Sequence, residues 1–375
     1  MIYLDYQATT PVAPEVAAAM APWIEQQFAN PHSPSTAGRE AVAAIEHARG
    51  QVAALIGPDA GTGAGGQFLF TSGATEALNW ALKGTIERSL RNKLVTIATE
   101  HAAVLDSAHW LEGQGCQVVR LPVGRDGLVD LDVARTAIDG DTALVAAMLV
   151  NNEIGVIQPV AALAELAHAA GATMVCDAVQ GIGRVDIPAG CDLVAVSAHK
   201  LHGPKGIGGL WVREGHAPAP LLHGGGQEAG LRSGTLSPAL CVGFGAAAAL
   251  ALERREIDAV HVESLWQLAL ATLSEGWIIN GSVDHRYHGN LNLRRDRLDA
   301  ARLLADCRHL AISLGSACAS GSGRPSHVLA ALGLGPAAAR SSVRLGFGRY
   351  TSSEEITRAL TMIDRAAADQ DKWAA

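Results

Sequence analysis

Aromatic residues are scarce in this chain, at 4% of 375 positions, although apolar residues as a whole reach 49%. All-β sandwiches and barrels lean on aromatic and β-branched side chains, so this alanine-rich balance favours packed helices instead. Positive charge is also in deficit: 29 Lys and Arg face 37 Asp and Glu, a formal net charge of -8. A general nucleic-acid binder needs a basic face, which this balance argues against, although a small positive pocket for one anion stays open. No run approaches the roughly 20 apolar residues of a membrane helix. The longest, Cys241 to Leu252, holds Gly243 and Gly245 and runs into Glu253-Arg254-Arg255-Glu256, so it predicts a buried helix. The first residues, Met1-Ile2-Tyr3-Leu4-Asp5-Tyr6, show neither a basic stretch nor a cleavage pattern, and export is not expected. The six cysteines (116, 176, 191, 241, 307 and 318) form no C-x-x-C pair, and read as reduced cytosolic thiols, which places the protein in the cytoplasm.

Charged residues at 18% and the high apolar content exclude a disordered chain, and the length suits two domains. Only Gly57 to Gly66 (GPDAGTGAGG) is of low complexity, a flexible loop by composition. From there to about residue 215, strand-length apolar runs alternate with helical patterns. Strands are expected at 67–71, 94–98, 117–121, 144–149, 173–176, 193–197 and 209–212, with helices at 75–91, 102–112, 131–137 and 160–170. This alternation predicts an α/β fold with a mostly parallel sheet covered by helices on both faces. Beyond about residue 250 the pattern becomes a long helix, short strands near Asn290 and Ala311–Leu314, and two final helices. The expected division is a large α/β domain over 12–250 and a smaller α+β domain from 1–11 plus 251–375.

Parallel sheets of this class bind ligands outside the carboxyl ends of their strands. One strand runs into Ser72-Gly73-Ala74-Thr75-Glu76 and a helix, a geometry that presents free N–H groups to an anion, and equally an ordinary N-cap. A second ends at Asp177, a costly burial that calls for a cationic partner: a structural ion pair, a metal or a protonated heterocycle. A third ends at Ser197-Ala198-His199-Lys200. Lys200 at such a mouth either snorkels to the surface or, desolvated, becomes a nucleophilic amine. Together the three ends hold an anion cradle, a carboxylate and an amine, the needs of pyridoxal phosphate: backbone donors for its phosphate, a carboxylate for its ring nitrogen, and a lysine Schiff base for its aldehyde.

The motifs that carry a family resemblance run in order over nearly the whole chain. They are Tyr3–Pro11, Thr71–Glu76, Thr99-Glu100-His101, Val150–Gly155, Asp177–Gln180, Ser197–Gly206, Arg232–Thr235, Gly315–Cys318 and Ser342–Arg344. The sequence resembles the pyridoxal-phosphate cysteine desulfurases, the NifS/IscS-like group of the class V aminotransferase superfamily, whose enzymes have fold type I. The resemblance implies pyridoxal 5'-phosphate as cofactor, with Lys200 linked to it and shuttling the Cα proton. It places Asp177 at the pyridinium nitrogen, Gln180 at the ring hydroxyl and His101 on the ring face, assisting proton transfer. Ala74, Thr75, Ser197 and His199 would hold the phosphate, with Thr235 reaching in from the partner of a homodimer. Asn152 would lie beside cofactor and substrate, while Arg344, with Asn30 nearby, would bind the α-carboxylate of L-cysteine. Sulfur would leave as a Cys318 persulfide for an iron–sulfur scaffold or another sulfur carrier.

Cys318 separates this reaction from the others the cofactor permits. It sits in the Gly/Ser-rich stretch Leu314–Gly323, whose composition gives a mobile loop and a poor place for a buried filler. A selenocysteine lyase or another class V lyase or aminotransferase would share the cofactor site without needing this thiol, and a regulatory or scaffold subunit would need none of the set. Several other strings fail on context. Gly61-x-Gly63-x-x-Gly66 precedes a strand rather than following one, Lys205-Gly206 lacks P-loop spacing, and His199-x-x-His202 and the pair His101 and His109 have no accompanying metal-ligand set. Gln7, Gln227, Ala229 and the basic run Arg294-Arg295 depart from the family pattern. The chain also ends soon after its last expected helix, without the segment by which longer members dock on a scaffold.

Overall fold

The computed structural model describes residues 1–57, 65–314 and 326–374. Its large sheet contains β2 (Gly66–Thr71), β3 (Lys93–Ile97), β4 (Gln117–Leu121), β5 (Thr142–Met148), β6 (Thr173–Asp177), β7 (Leu193–Ser197) and β8 (Gly208–Arg213), after β1 (Ile2–Tyr3) in the chain. The spatial order is β2-β8-β7-β6-β5-β3-β4. Neighbours from β7 through β4 pair in parallel, while β8 runs antiparallel to both β2 and β7. The expected α/β fold with a mostly parallel sheet is borne out. Every residue of β3, β5 and β7 is buried, because helices cover both faces and leave no solvated side for polar residues to alternate onto.

Helices Ala74–Arg88 and Ala102–Gly113 pack one face through Leu78, Trp80, Leu82 and Val104. On the other face lie Thr36–Ile56, Val160–Ala169 and Pro238–Glu253, through Ile45, Val52, Leu163 and Phe244. The apolar run expected to form a buried helix does so. It lies so close to Thr36–Ile56 that a Cβ on Gly245 would stand 2.6 Å from the Cα of Ala48. Pro14–Glu25 and Thr36–Ile56 were not anticipated, since the strand–helix alternation begins only after them.

After a second long helix, Arg255–Thr272, the chain forms β9 (Trp277–Ile279), β10 (Asn290–Arg295), β11 (Leu310–Ala311) and β12 (Ser342–Gly346). β10 is the centre of an antiparallel three-stranded sheet between β12 and β9, and β11 pairs in parallel with β1 at the N-terminus. Leu4, Trp266, Leu293, Phe347 and Leu360 share a separate apolar cluster here, closed by helix Ser353–Ala374. Two short helices, His327–Ala331 and Pro336–Arg340, precede β12, which sequence periodicity did not separate from its surroundings. Among the described residues, no helix is long and apolar enough to cross a membrane. Most of the low-complexity patch at 57–66 and nearly all of the Cys318 stretch lie outside the described residues.

Candidate active site

A cavity of about 950 Å³ opens where β2, β5, β6 and β7 end, and the N-terminal arm at Gln7–Thr9 forms part of its wall. Ala74 and Thr75 begin the helix that follows β2. Gly73 caps it with no side-chain acceptor, so first-turn N–H groups are left to the cavity. This turn rests on β8: a Cβ on Gly208 would lie 2.5 Å from the carbonyl oxygen of Val196 and 2.8 Å from Gly73 Cα. Glu76 stands in the first turn of this helix. Its carboxylate accepts from the Ser72 N–H at 2.7 Å and from Arg232 at 2.7 and 3.0 Å, and lies below the usual carboxylate range because these hydrogen bonds outweigh its burial.

Asp177 is buried at the end of β6, where Oδ1 accepts the Val179 N–H at 3.0 Å. Burial raises its pKa, and the nearby His101 and Lys200 act against that rise. Cys176 points to the other side of the strand into the apolar core, as pleating requires. Like Cys116, Cys191, Cys241 and Cys307 it is free and buried, a small apolar filler.

Lys200 ends a short 3-10 turn after β7. Its Nζ donates to the carbonyls of Gln7 and, at 2.9 Å, Ala8, while Arg184 donates to the Lys200 carbonyl at 2.8 Å. His199 Nδ1 lies 3.2 Å from Thr9 Oγ1, and burial, with Lys200 and Lys205 near, pushes this imidazole down to about 4. Ser197 and His199 both line the cavity beside the helix-start cradle. Gln180 donates to the Gln7 carbonyl at 2.9 Å and accepts from Arg184 at 3.1 Å. Gln7, a mere departure from the pattern in sequence, thus contributes the carbonyl on which two site residues meet.

His101 is the N-cap of helix Ala102–Gly113, with Nδ1 accepting the Ala103 N–H at 3.1 Å. Burial lowers its pKa, Lys200 adds to the drop and Asp177 opposes it. Asn152 and Arg344 complete the wall. Arg344 is 1% exposed on β12, where its guanidinium donates to Asp5 Oδ1 at 2.7 Å and to the Asn152 carbonyl at 3.0 Å. Its buried Nε has no partner among the described residues.

Two expected members stay outside this cavity within one chain. Asn30 is exposed, its Oδ1 accepting the His32 N–H at 2.9 Å, and Thr235 is exposed on the loop before Pro238. Cys318 lies outside the described residues. Sequence reasoning overlooked Asp5, Glu100, Glu153, Ser326 and His327. The first three sit inside quoted motifs, where their acidity was the available signal; Ser326 and His327 carry none. Among the described residues no cluster of metal-ligating side chains forms.

This geometry, an anion cradle, a buried acid and a lysine amine around one cavity, has relatives. The profile of the family "Aminotransferase class-V" matches residues 2–359. The chain belongs to the class-V aminotransferase family. Among curated relatives of this class-V chain, "Cysteine desulfurase IscS" of Rickettsia akari (strain Hartford) is 43% identical over 374 residues, covering 96% of this chain and 90% of that protein. The protein of the same name from Rickettsia bellii (strain OSU 85-389) is also 43% identical, with the same coverage. Of solved structures, a "NIFS-LIKE PROTEIN" superimposes with a TM-score of 0.90 at 31% identity, covering 98% of this chain and 99% of that one. Another, "SspA in complex with cysteine", gives 0.82 at 34% identity, covering 94% and 100%.

Proposed function

We propose that this chain is a cysteine desulfurase that converts L-cysteine to L-alanine and passes the sulfur on as a Cys318 persulfide. The observation that carries the reading is the convergence of the open helix start at Ala74 and Thr75, buried Asp177 and the Lys200 amine on one cavity. These residues fit pyridoxal phosphate: Ala74, Thr75, Ser197 and His199 would hold the phosphate, Asp177 the ring nitrogen, Gln180 the ring hydroxyl, His101 the ring face and Lys200 the aldehyde. When bound, the cofactor supplies an aldehyde for the substrate amine and a ring that accepts negative charge from Cα.

The chain's own groups do the rest. Arg344 meets the substrate carboxylate, its unpartnered Nε leaving a donor beyond those used by Asp5 and Asn152. Asn152 flanks the bound amino acid. Lys200, relieved of its resting partners, takes the Cα proton. The Cys318 thiolate attacks the substrate sulfur, so that a sulfur–sulfur bond forms as the carbon–sulfur bond breaks. The acceptor we assign is an iron–sulfur scaffold or another sulfur carrier, either of which takes sulfur from an exposed persulfide.

Two architectural readings go with this. The division into 12–250 and 1–11 plus 251–375 is supported by the apolar cores, one confined to residues between Ile45 and Ala251 and the other joining Ile2 and Leu4 to residues from Leu265 onward. A homodimer would bring Thr235 of a second copy to the site, and the exposed Ile24 and Phe28 offer that copy apolar surface.

The test mixes the purified protein, with L-cysteine and dithiothreitol, and its Cys318→Ala variant, while alanine, sulfide and the visible cofactor spectrum are followed. Equal alanine and sulfide, lost in the variant, is the expected result. A normal cofactor spectrum without alanine would overturn the reading and turn the search to other amino-acid substrates.

A further inference from the structure

Of the imidazoles lining the cavity, the backbone holds His101 and His327 in the same tautomer but turns opposite nitrogens toward the site. His101 Nδ1 accepts the Ala103 N–H at 3.1 Å, so in the neutral ring the proton sits on Nε2. His327 Nε2 lies 2.9 Å from the Glu100 carbonyl oxygen. A carbonyl only accepts, so that nitrogen must carry the proton, and the lone pair of the neutral ring is on Nδ1. One ring therefore offers the cavity a donor and the other a base.

The fixing carbonyl is itself held. Glu100 is fully buried, and its Oε1 accepts the Met148 N–H at 2.8 Å, at the end of the strand that pairs with β6 beside Asp177. His327 is anchored from its other side too. Ser326 caps its helix by accepting the Leu329 N–H at 3.1 Å, and its hydroxyl donates to the buried carboxyl of Glu153. The ring thus lines the cavity between Glu100 and the Asn152-Glu153 turn, and is itself exposed. The titratable groups that interact with it directly are His101 and Glu153, while Asp106, Asp177, Lys200 and Arg344 line the same cavity.

We infer that His327 is the base for the substrate thiol, its Nδ1 taking the S–H proton as the sulfur moves to Cys318. This rests on the cysteine-desulfurase reading. The Cys318 thiolate forms the sulfur–sulfur bond, and the electron pair of the broken Cβ–S bond stays with the carbon fragment, which is protonated to alanine. The S–H proton goes to His327, leaving an anionic persulfide and an imidazolium that releases its proton at the exposed mouth. His101 is unsuited to this step because its lone pair is spent on Ala103, and Lys200 is committed to Cα.

The test compares His327→Gln with His327→Ala. Glutamine keeps an N–H for the Glu100 carbonyl and removes the base, whereas alanine removes both. In a single turnover, Cys318 persulfide is counted by mass, and the visible spectrum reports cofactor and cysteine binding. Positioned acid–base groups contribute about 10²–10⁴-fold, so His327→Gln should form persulfide at least about 100-fold more slowly with an unchanged spectrum and KM. ¹⁵N spectra of the histidine rings, assigned by difference from the Gln variant, should show His327 as the Nε2–H tautomer. Persulfide formation by His327→Gln within about twofold of wild type, or an Nδ1–H tautomer, would overturn the assignment, even if His327→Ala were slow. A wild-type enzyme that binds cysteine and releases no alanine would sink the desulfurase reading, and the role of His327 with it. An active wild type with an unaffected Gln variant sinks only the latter.

Discussion

Replacing Asp5 by Asn tests how the substrate-side cation is held. Arg344 is almost wholly buried and Asp5 about 17% exposed, with 2.7 Å between Nη2 and Oδ1. At an effective dielectric of about 20 the gross attraction of such a pair is about 6 kcal/mol. Desolvation offsets much of it, and breaking a buried pair by removing one partner costs about 3–5 kcal/mol. Asparagine retains an oxygen for the hydrogen bond and removes only the charge. The expected loss of stability is therefore about 2–3 kcal/mol, read as a lower urea midpoint at an unchanged slope. Arg344 would then be oriented by two neutral acceptors, the amide oxygen at position 5 and the Asn152 carbonyl. Losing one charge-assisted contact, about 1.5 kcal/mol, should raise KM for L-cysteine about tenfold. Asp5 does not line the cavity, so the cofactor spectrum should not move. A wild-type midpoint together with a wild-type KM would refute the reasoning, because neither the burial nor the orienting role would then be real.

Gly208→Ala should push the Gly73 turn off its strand, an overpacking cost of about 1–3 kcal/mol that weakens cofactor affinity about 10- to 100-fold by absorbance titration; unchanged affinity would mean that the cradle does not rest on β8. Glu228 accepts from Arg49 at 2.7 and 2.8 Å and from the Phe70 N–H at 2.6 Å, so Glu228→Ala should cost about 3–5 kcal/mol in urea unfolding, and a change under about 1 kcal/mol would contradict this. Burial pushes His202 down to about 4 from 6.5. The unfolded chain then binds the proton first, so stability is fully present above about pH 6.5 and falls as pH drops toward 4. His202→Asn, which suits the left-handed φ of 62°, should flatten that acid limb; an unchanged slope between those pH values would show that His202 does not cause it.

The strand ends were legible because a parallel strand buried on both faces reads as an unbroken apolar run, so Asp177 and Lys200 mark its end by contrast. The cradle was legible for a similar reason, since Ser72-Gly73 interrupts two periodic segments. His327 carried no such mark: a single histidine after a Gly/Ser-rich stretch has no periodicity, and its partner is a backbone carbonyl 227 residues away. Asn30 and Thr235, placed at the site by resemblance and Thr235 from a partner copy, lie away from the cavity of their own chain, and a linear motif records no distance from its residue to the site.

Local patterning by itself therefore determined the α/β class, the sheet-edge position of the site and the identity of its acid and amine. Those features depend on which side chains are apolar and where the runs stop, properties each segment carries alone. Tertiary structure alone decided that Asp5 holds Arg344, that the Gln7 carbonyl receives both Lys200 and Gln180, and that His101 and His327 present opposite nitrogens. A hydrogen bond is set by the direction and distance of two groups, and when those groups are brought together by loop closure over hundreds of residues, composition and spacing hold no record of it.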